Sequence, residues 1–365
     1  MRTDHIVNVL PSDPPLETER VQGYLQALAK RHPEAFLELS QDEAQSKRLR
    51  VLFSSSRFLS EEVLRHPAWF PAPEEFERAL SAEDYRARLA VFLLECRAGT
   101  LTALELALFR RRELIRIVVR DRMQIAGLAE ITQELSNLAD ALLGSALEEV
   151  NRELEERFGA PMETSGGNSG KRAVFTTIAL GKLGGQELNY SSDIDVMFLY
   201  SDNGQTSGAH PITNKEFFKK VANGLTTMLS SYTGAGQCYR LDLRLRPEGT
   251  HGEVCISASA AKHYYARRAR DWELQMLLKA RVAAGDEAVG RSFLDAVEPL
   301  IYSTTLDFST IESMSATRER IGEKIARKRT RPAIIDVKLT PGGIRDIEFL
   351  VQCLQRLHGA RESSV

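Results

Sequence analysis

Asp193 and Asp195 stand one residue apart at the head of an apolar run, "NYSSDIDVMFLY", shortly after the paired glycines Gly184-Gly185. Alternation along a strand turns both aspartates to one face and Ile194 to the other. Carboxylates that close repel unless positive charge lies between them. A second alternating stretch, "RLDLRLRP", sets Asp242, Arg244 and Arg246 against Leu241, Leu243 and Leu245. If the two strands are neighbours, the carboxylates of Asp193, Asp195 and Asp242 converge. Hard oxygen ligands with room for water and phosphate oxygens suit Mg²⁺. Two such ions clamp the attacking and leaving oxygens of a phosphoryl-type displacement.

The surrounding residues fit the same chemistry. Gly184 and Gly185 follow an apolar β-branched segment, where absent side chains let backbone N–H groups approach a phosphate. Ser191 and Ser192 supply hydroxyls, and Lys182, Arg244 and Arg246 supply positive charge for a triphosphate or an attacking phosphate. Neither the G-x-x-x-x-G-K-[ST] loop nor the G-x-G-x-x-G fingerprint is present at these glycines. A lone D-x-D is by default a loop or cap feature, and a lone Gly-Gly a turn. The ordered set of strand, Gly-Gly, D-x-D at a strand start, helix and a third strand-borne Asp reverses that reading.

These residues need a scaffold. The 365 residues allow two or three domains, and 43% hydrophobic with 27% charged residues marks a globular chain. With 48 basic and 50 acidic residues the net charge is −2, so no global field favours nucleic acid or an anionic membrane. Cys96, Cys238, Cys255 and Cys353 are scattered without zinc spacing, which predicts reduced thiols and a cytoplasmic setting. No apolar run approaches the length of a membrane span, and the first residues show no signal-peptide pattern.

Residues 1–160 read as a helical region. Its clearest face is Leu128, Ile131, Leu135, Leu138, Leu142, Leu147, Val150 and Leu154. The segment "ALFRRRELIRIVVRDRM" has similar spacing with a strongly basic opposite face, expected to be a solvated surface. Pro33, Pro67, Pro71 and Pro73 fit helix boundaries. Composition then shifts, and residues 161–172, rich in Gly and Ser, read as a linker or loop. A core at 173–256 follows, with strands expected at Ala173–Leu180, at Ile194–Tyr200 and within "GQCYRLDLRLRP". Thr213 and Glu216 form a capping-box pattern opening a helix with Phe217, Val221, Leu225 and Met228 on one face. From residue 257 to 365 the spacing is helical. The fold class is α+β, predominantly helical around a small mixed sheet.

The core motifs resemble the nucleotidyltransferase superfamily of DNA polymerase β. Four segments narrow the match: "GKLGGQELNYSSDIDVMFLY", "YRLDLRLRPEGTHG", "RDWELQMLLKARVAAGD" and "KLTPGGIRDIEFLVQ". Their order and spacing resemble the glutamine synthetase adenylyltransferase/adenylyl-removing enzymes, which carry two such modules in tandem. That resemblance implies removal of AMP from an adenylylated tyrosine by phosphate, releasing ADP, in the N-terminal module. It implies AMP transfer from ATP in the C-terminal one. "NYSSDID", "RDWE" and "GGIRDIEF" resemble the removing module.

Carried over, the resemblance makes Asp193, Asp195 and Asp242 the metal-binding carboxylates, and Gly184, Gly185 and Ser192 the nucleotide-phosphate turn. It implies Mg²⁺, as two ions, with phosphate/ADP or ATP as substrates. Glutamine synthetase is the implied protein substrate, and a PII-type nitrogen-signalling protein a further candidate partner. Arg345, Glu348 and Gln352 share one face of a helix that either closes over the site or carries an internal Arg345–Glu348 pair. Ile347, Leu350, Leu354 and Leu357 form its other face. Lys279 and Arg281 either reach phosphates or are solvated, and Trp272 is expected to be a core anchor. The chain ends soon after "GGIRDIEF", where that family continues, so it reads as a fragment or truncated product. The alternatives are AMP transfer to tyrosine and a non-catalytic docking module.

Overall fold

The helices begin where side-chain oxygens can take up free backbone N–H groups. Asp42 accepts from Ala44 to start the helix Glu43–Ser55, and Ser56 accepts from Leu59 to start Arg57–Arg65. Ser81 with Asp84 and Thr102 with Glu105 form capping boxes for the helices Ala82–Glu95 and Ala103–Arg122. Pro33, Pro67 and Pro73 each open a helical turn, where a missing N–H costs nothing. The computed structural model describes residues 18–96, 99–164, 170–302, 337–338 and 342–359, without the side chains of 357 and 358. The chain divides into two units, each packed chiefly against itself.

The first unit holds the described residues up to Leu142, together with Gln186–Tyr190 and Met228–Tyr239. The helix Leu128–Phe158 begins here, and its Ile131, Leu135, Leu138 and Leu142 are buried as their spacing predicts. The basic face of Ala103–Arg122 is not the solvated surface expected. Arg116 and Arg120 are at most 1% exposed, and both reach the carboxylate of Glu134, itself fully buried. Glu134 also accepts from the Leu80 N–H (2.8 Å) and the Tyr85 hydroxyl (3.2 Å). Arg116 donates to the carbonyls of Glu75 and Arg78, and Arg120 to that of Phe76. Two helices thereby clamp the irregular segment around Pro73–Phe76. Periodicity cannot separate these arginines from solvated neighbours, because the carboxylate that neutralises them lies on another helix.

The second unit is built on a mixed sheet. Strand β1 (Pro161–Glu163) pairs antiparallel with β4 (Gly204–Thr206). β1 falls within the stretch whose composition suggests a loop, and residues 165–169 of that stretch lie outside the described residues. The main sheet centres on β2 (Phe175–Ala179) and β3 (Ile194–Tyr200), which pair antiparallel. β5 (Leu241–Asp242) and β6 (Cys255–Ser257) both pair parallel to β3, and β7 (Arg281–Gly285) pairs antiparallel to β2. The helices Ala258–Arg267 and Glu287–Ile301 supply Ala261, Tyr265, Phe293 and Val297 to a core with Ile178, Met197 and Leu199. Phe175, Phe198, Tyr200 and Phe218 form a second aromatic cluster. The capping box is present: Glu216 N–H donates to Thr213 Oγ1 (3.2 Å), and Thr213 N–H to Glu216 (3.0 Å), at the start of Asn214–Ser230.

Three expectations for this unit are corrected. The third strand is confined to Leu241–Asp242, because Asp242 accepts the Arg244 N–H (2.9 Å) and Arg246 donates to the carbonyls of Leu243, Thr250 and Gly252. Such local bonds compete with ladder pairing and turn the chain. β7 interrupts the region read as helical beyond residue 257. It covers the edge of β2, whose five residues are all buried and whose backbone would otherwise lack partners. Trp272 is 37% exposed and is no core anchor. In the helix Ile344–His358, Ile347, Leu350 and Leu354 are exposed, while Gln352 accepts a 2.7 Å hydrogen bond from Gln275 and Arg356 is buried. Gln352 and Arg356 thus face inward, while Arg345 and Glu348 are exposed. Among the described residues no ion pair joins Arg345 to Glu348.

Replacing Glu134 by Ala leaves the buried Arg116 without its carboxylate and Arg120 with only the half-exposed Glu130, an expected loss of about 3–5 kcal/mol. Urea denaturation checks this, with Arg112→Ala as comparison, since Arg112 pairs with the half-exposed Glu95. Losses of similar size in the two variants would contradict the clamp.

Candidate active site

The carboxylates lie at the start of β3 and on β5, within the second unit. Parallel pairing makes Asp195 the ladder partner of Asp242, beside the pair Ile194 and Leu241. Ladder partners share a sheet face, so the two carboxylates are side by side. Asp193, two residues earlier, also acts electrostatically on Asp195. Burial, then Asp242, then Asp193 push the Asp195 carboxyl up to about 6, against the opposing pull of Arg244 and Lys338.

Arginines hold the other two carboxylates. Asp193 pairs with Arg240, and Asp242 receives Arg244 through Nε (2.9 Å to each oxygen) and a terminal nitrogen. The Arg244 hydrogen bond keeps the Asp242 carboxyl below its ordinary range. The guanidiniums are largely exposed, at 67% and 73% for the two side chains. They are thus free to exchange partners at low cost. The three aspartates are neighbours, but they are not a ready-made ligand cage: among the described residues no three His, Cys, Asp or Glu side chains form a metal-binding group. The donor chemistry nonetheless fits a divalent cation, since hard oxygens surround a carboxyl whose ionisation its neighbours oppose.

The glycine turn works differently from expectation. The Gly184 N–H donates to Leu180 O (2.9 Å) and the Gly185 N–H to Gly181 O (3.0 Å), so neither is offered to a phosphate. A Cβ at Gly184 would lie 2.1 Å from the Lys279 carbonyl oxygen, so this glycine permits close packing. The glycine that touches the carboxylate is Gly181, which no motif singles out. It has φ +54°, and a Cβ there would lie 2.8 Å from Asp195 Oδ2. Its place immediately after the strand, in "LGKLGG", is the available signal. Lys182 is exposed beside it, and Ser192 is half-buried.

Other basic residues are committed to scaffolding. Arg281 donates to Leu183 O (2.9 Å), tying β7 to the glycine turn. Arg246 holds the carbonyls of the turn after β5. Arg240 and Lys338 are functional candidates that sequence reasoning missed. Arg240 precedes the third strand with no motif of its own. Lys338 acts on Asp195 from a distant part of the sequence, held where Arg345 N–H donates to its carbonyl (3.2 Å).

Comparison with known proteins places the sequence in a family. The family model for glutamate-ammonia ligase adenylyltransferase matches residues 46–296. The chain belongs to this family of nucleotidyltransferases. A second model, GlnD PII-uridylyltransferase, matches residues 315–364. Relatives named bifunctional glutamine synthetase adenylyltransferase/adenylyl-removing enzyme include that of Pseudomonas aeruginosa, 36% identical over 87% of this chain and 32% of its own length. That of Nitrosococcus oceani is 36% identical over 87% and 33%, and that of Pseudomonas putida 33% identical over 98% and 36%. The chain thus spans about a third of the length of these relatives. Among the described residues no helix is long and apolar enough to cross a membrane.

The raised Asp195 carboxyl yields a signed prediction. Since its native pKa is about 6 against an ordinary 3.8, the fold favours the protonated form. The penalty for ionisation is absent below 3.8 and complete above about 6. With divalent metal chelated, Asp195→Asn is expected to melt above the wild type at neutral pH, the gap closing as pH falls through that window. Thermal denaturation across pH checks it; a variant less stable at neutral pH contradicts the like-charge account.

Proposed function

We propose that this chain carries adenylyl-removing activity toward glutamine synthetase, transferring AMP from a modified tyrosine to inorganic phosphate. The observation that carries the chemistry is the in-register pair Asp195–Asp242 with Asp193 beside it. The direction rests on "NYSSDID", "RDWE" and "GGIRDIEF" resembling the removing module. Relatives named for both activities support glutamine synthetase as the protein substrate. A PII-type signalling protein as a further partner is supported by the match of residues 315–364. Such an enzyme would act in the cytoplasm.

In the reaction, a phosphate oxygen attacks the phosphorus of the tyrosyl AMP and the bond from that phosphorus to the phenolic oxygen breaks. ADP leaves and the tyrosine oxygen recovers a proton. Asp193, Asp195 and Asp242 would hold Mg²⁺, which when bound draws charge from the phosphate oxygens. Arg240 and Arg244 are placed to pass from carboxylate to phosphate oxygens, orienting the nucleophile and screening its charge. Lys338 adds a positive charge beside Asp195. Gly181 leaves room for the Asp195 carboxylate against the turn.

The test pairs two assays: ADP formation from adenylylated glutamine synthetase with phosphate and Mg²⁺, and AMP incorporation into unmodified glutamine synthetase from labelled ATP. The first is expected to proceed, and to be abolished in folded Asp193→Asn and Asp195→Asn variants; the second is not. Incorporation without phosphorolysis would assign the opposite direction. Failure of both would leave a docking module.

A further inference from the structure

The helical unit contains a cleft of about 750 Å³ whose charges do not balance. Arg20, Arg57, Arg65 and Arg111 enter it, against the carboxylates of Glu61 and Glu62, an excess of two positive charges. Glu62, 1% exposed, is already taken by Arg65 (2.9 Å) and Arg111 (2.6 Å). Arg20 donates to the neutral Ser54 carbonyl and forms no ion pair among the described residues. The Arg57 side chain forms no hydrogen bond or ion pair among the described residues. Both guanidiniums act on the Tyr24 hydroxyl, which also bonds Glu61: burial and Glu61 raise its pKa, while Arg57 and Arg20 pull against them. Both line the same cleft as Glu61, whose single carboxylate is left to balance two guanidiniums, and the remaining positive charge favours an anion there.

The wall supplies the second half of the recognition. The Phe58 ring is 49% exposed, unusual for a large apolar side chain, and lies under the Arg111 guanidinium at 4.7 Å. An open ring beside two forked donors suits a ligand with an anionic head and an apolar body. Nucleic acid is a poor fit, since two glutamates line the cleft and the chain carries no net positive charge. We propose that this cleft binds a small organic dianion, a phosphate monoester or a dicarboxylate, with Arg20 and Arg57 holding the charge and Phe58 the body. The site lies within the helical unit and is independent of the proposed adenylyl removal.

Isothermal titration of the full chain tests this, with phenyl phosphate, succinate and acetate at one low ionic strength. EDTA is included so that the aspartate site cannot take phosphate through a cation. Saturable one-to-one binding of a dianion, at least tenfold tighter than acetate, is expected. Phenyl phosphate and succinate separate the phosphate from the carboxylate source. Arg57→Gln and Arg20→Gln are each expected to weaken binding at least tenfold with the urea midpoint unchanged. Absence of saturable binding by both dianions overturns the proposal. So does equal binding of acetate, or dianion binding that survives in both arginine variants.

Discussion

Asp195 and Asp242 are ladder partners on adjacent parallel strands, and this places like charges side by side at the edge of a buried sheet. A single carboxylate at a strand start is easily solvated. Burial, then the in-register Asp242 and then Asp193 push the Asp195 carboxyl up to about 6. Arginines stand against the outer two carboxylates and screen their charge. Those guanidiniums are exposed and exchangeable, so the same carboxylates remain accessible to a cation and its phosphate ligands.

Much of the second unit serves to keep that edge in register. The Leu180 N–H donates to the Asp195 carbonyl (2.9 Å) and the Ile194 N–H to the Arg240 carbonyl (3.0 Å), fixing β3 between the end of β2 and the entrance to β5. Gly181 gives the Asp195 side chain its space, and Gly184 lets the turn lie against the Lys279 backbone. Arg281 joins that turn to β7, which completes the ladder of the fully buried β2. The sheet cannot slip by one residue without turning the aspartates into the core.

The parts legible in the sequence are those governed by local chemistry or by one-dimensional periodicity. The apolar runs of β2 and β3, the Thr213–Glu216 cap and the buried face beginning at Ile131 are of this kind. The missed parts depend on partners distant in sequence. β7 is a short run of small residues that becomes a strand because β2 needs a neighbour. Arg116 and Arg120 look solvated until Glu134 is placed against them. β5 stops early because Asp242 and Arg246 satisfy the backbone of the turn that follows. At the candidate site, residue types singled out the three aspartates that the sheet brings together, yet the glycine against Asp195 is Gly181 rather than Gly184 or Gly185, since only the backbone path shows which one faces the carboxylate.

The most direct measurement is the binding of Mn²⁺, a paramagnetic substitute for Mg²⁺, followed through the loss of its free-ion electron paramagnetic resonance signal as protein is added. Saturable binding to the wild type is expected, at least tenfold weaker in Asp242→Asn and lost in Asp195→Asn. Binding of equal strength in all three proteins would contradict the view that these paired carboxylates form the cation site.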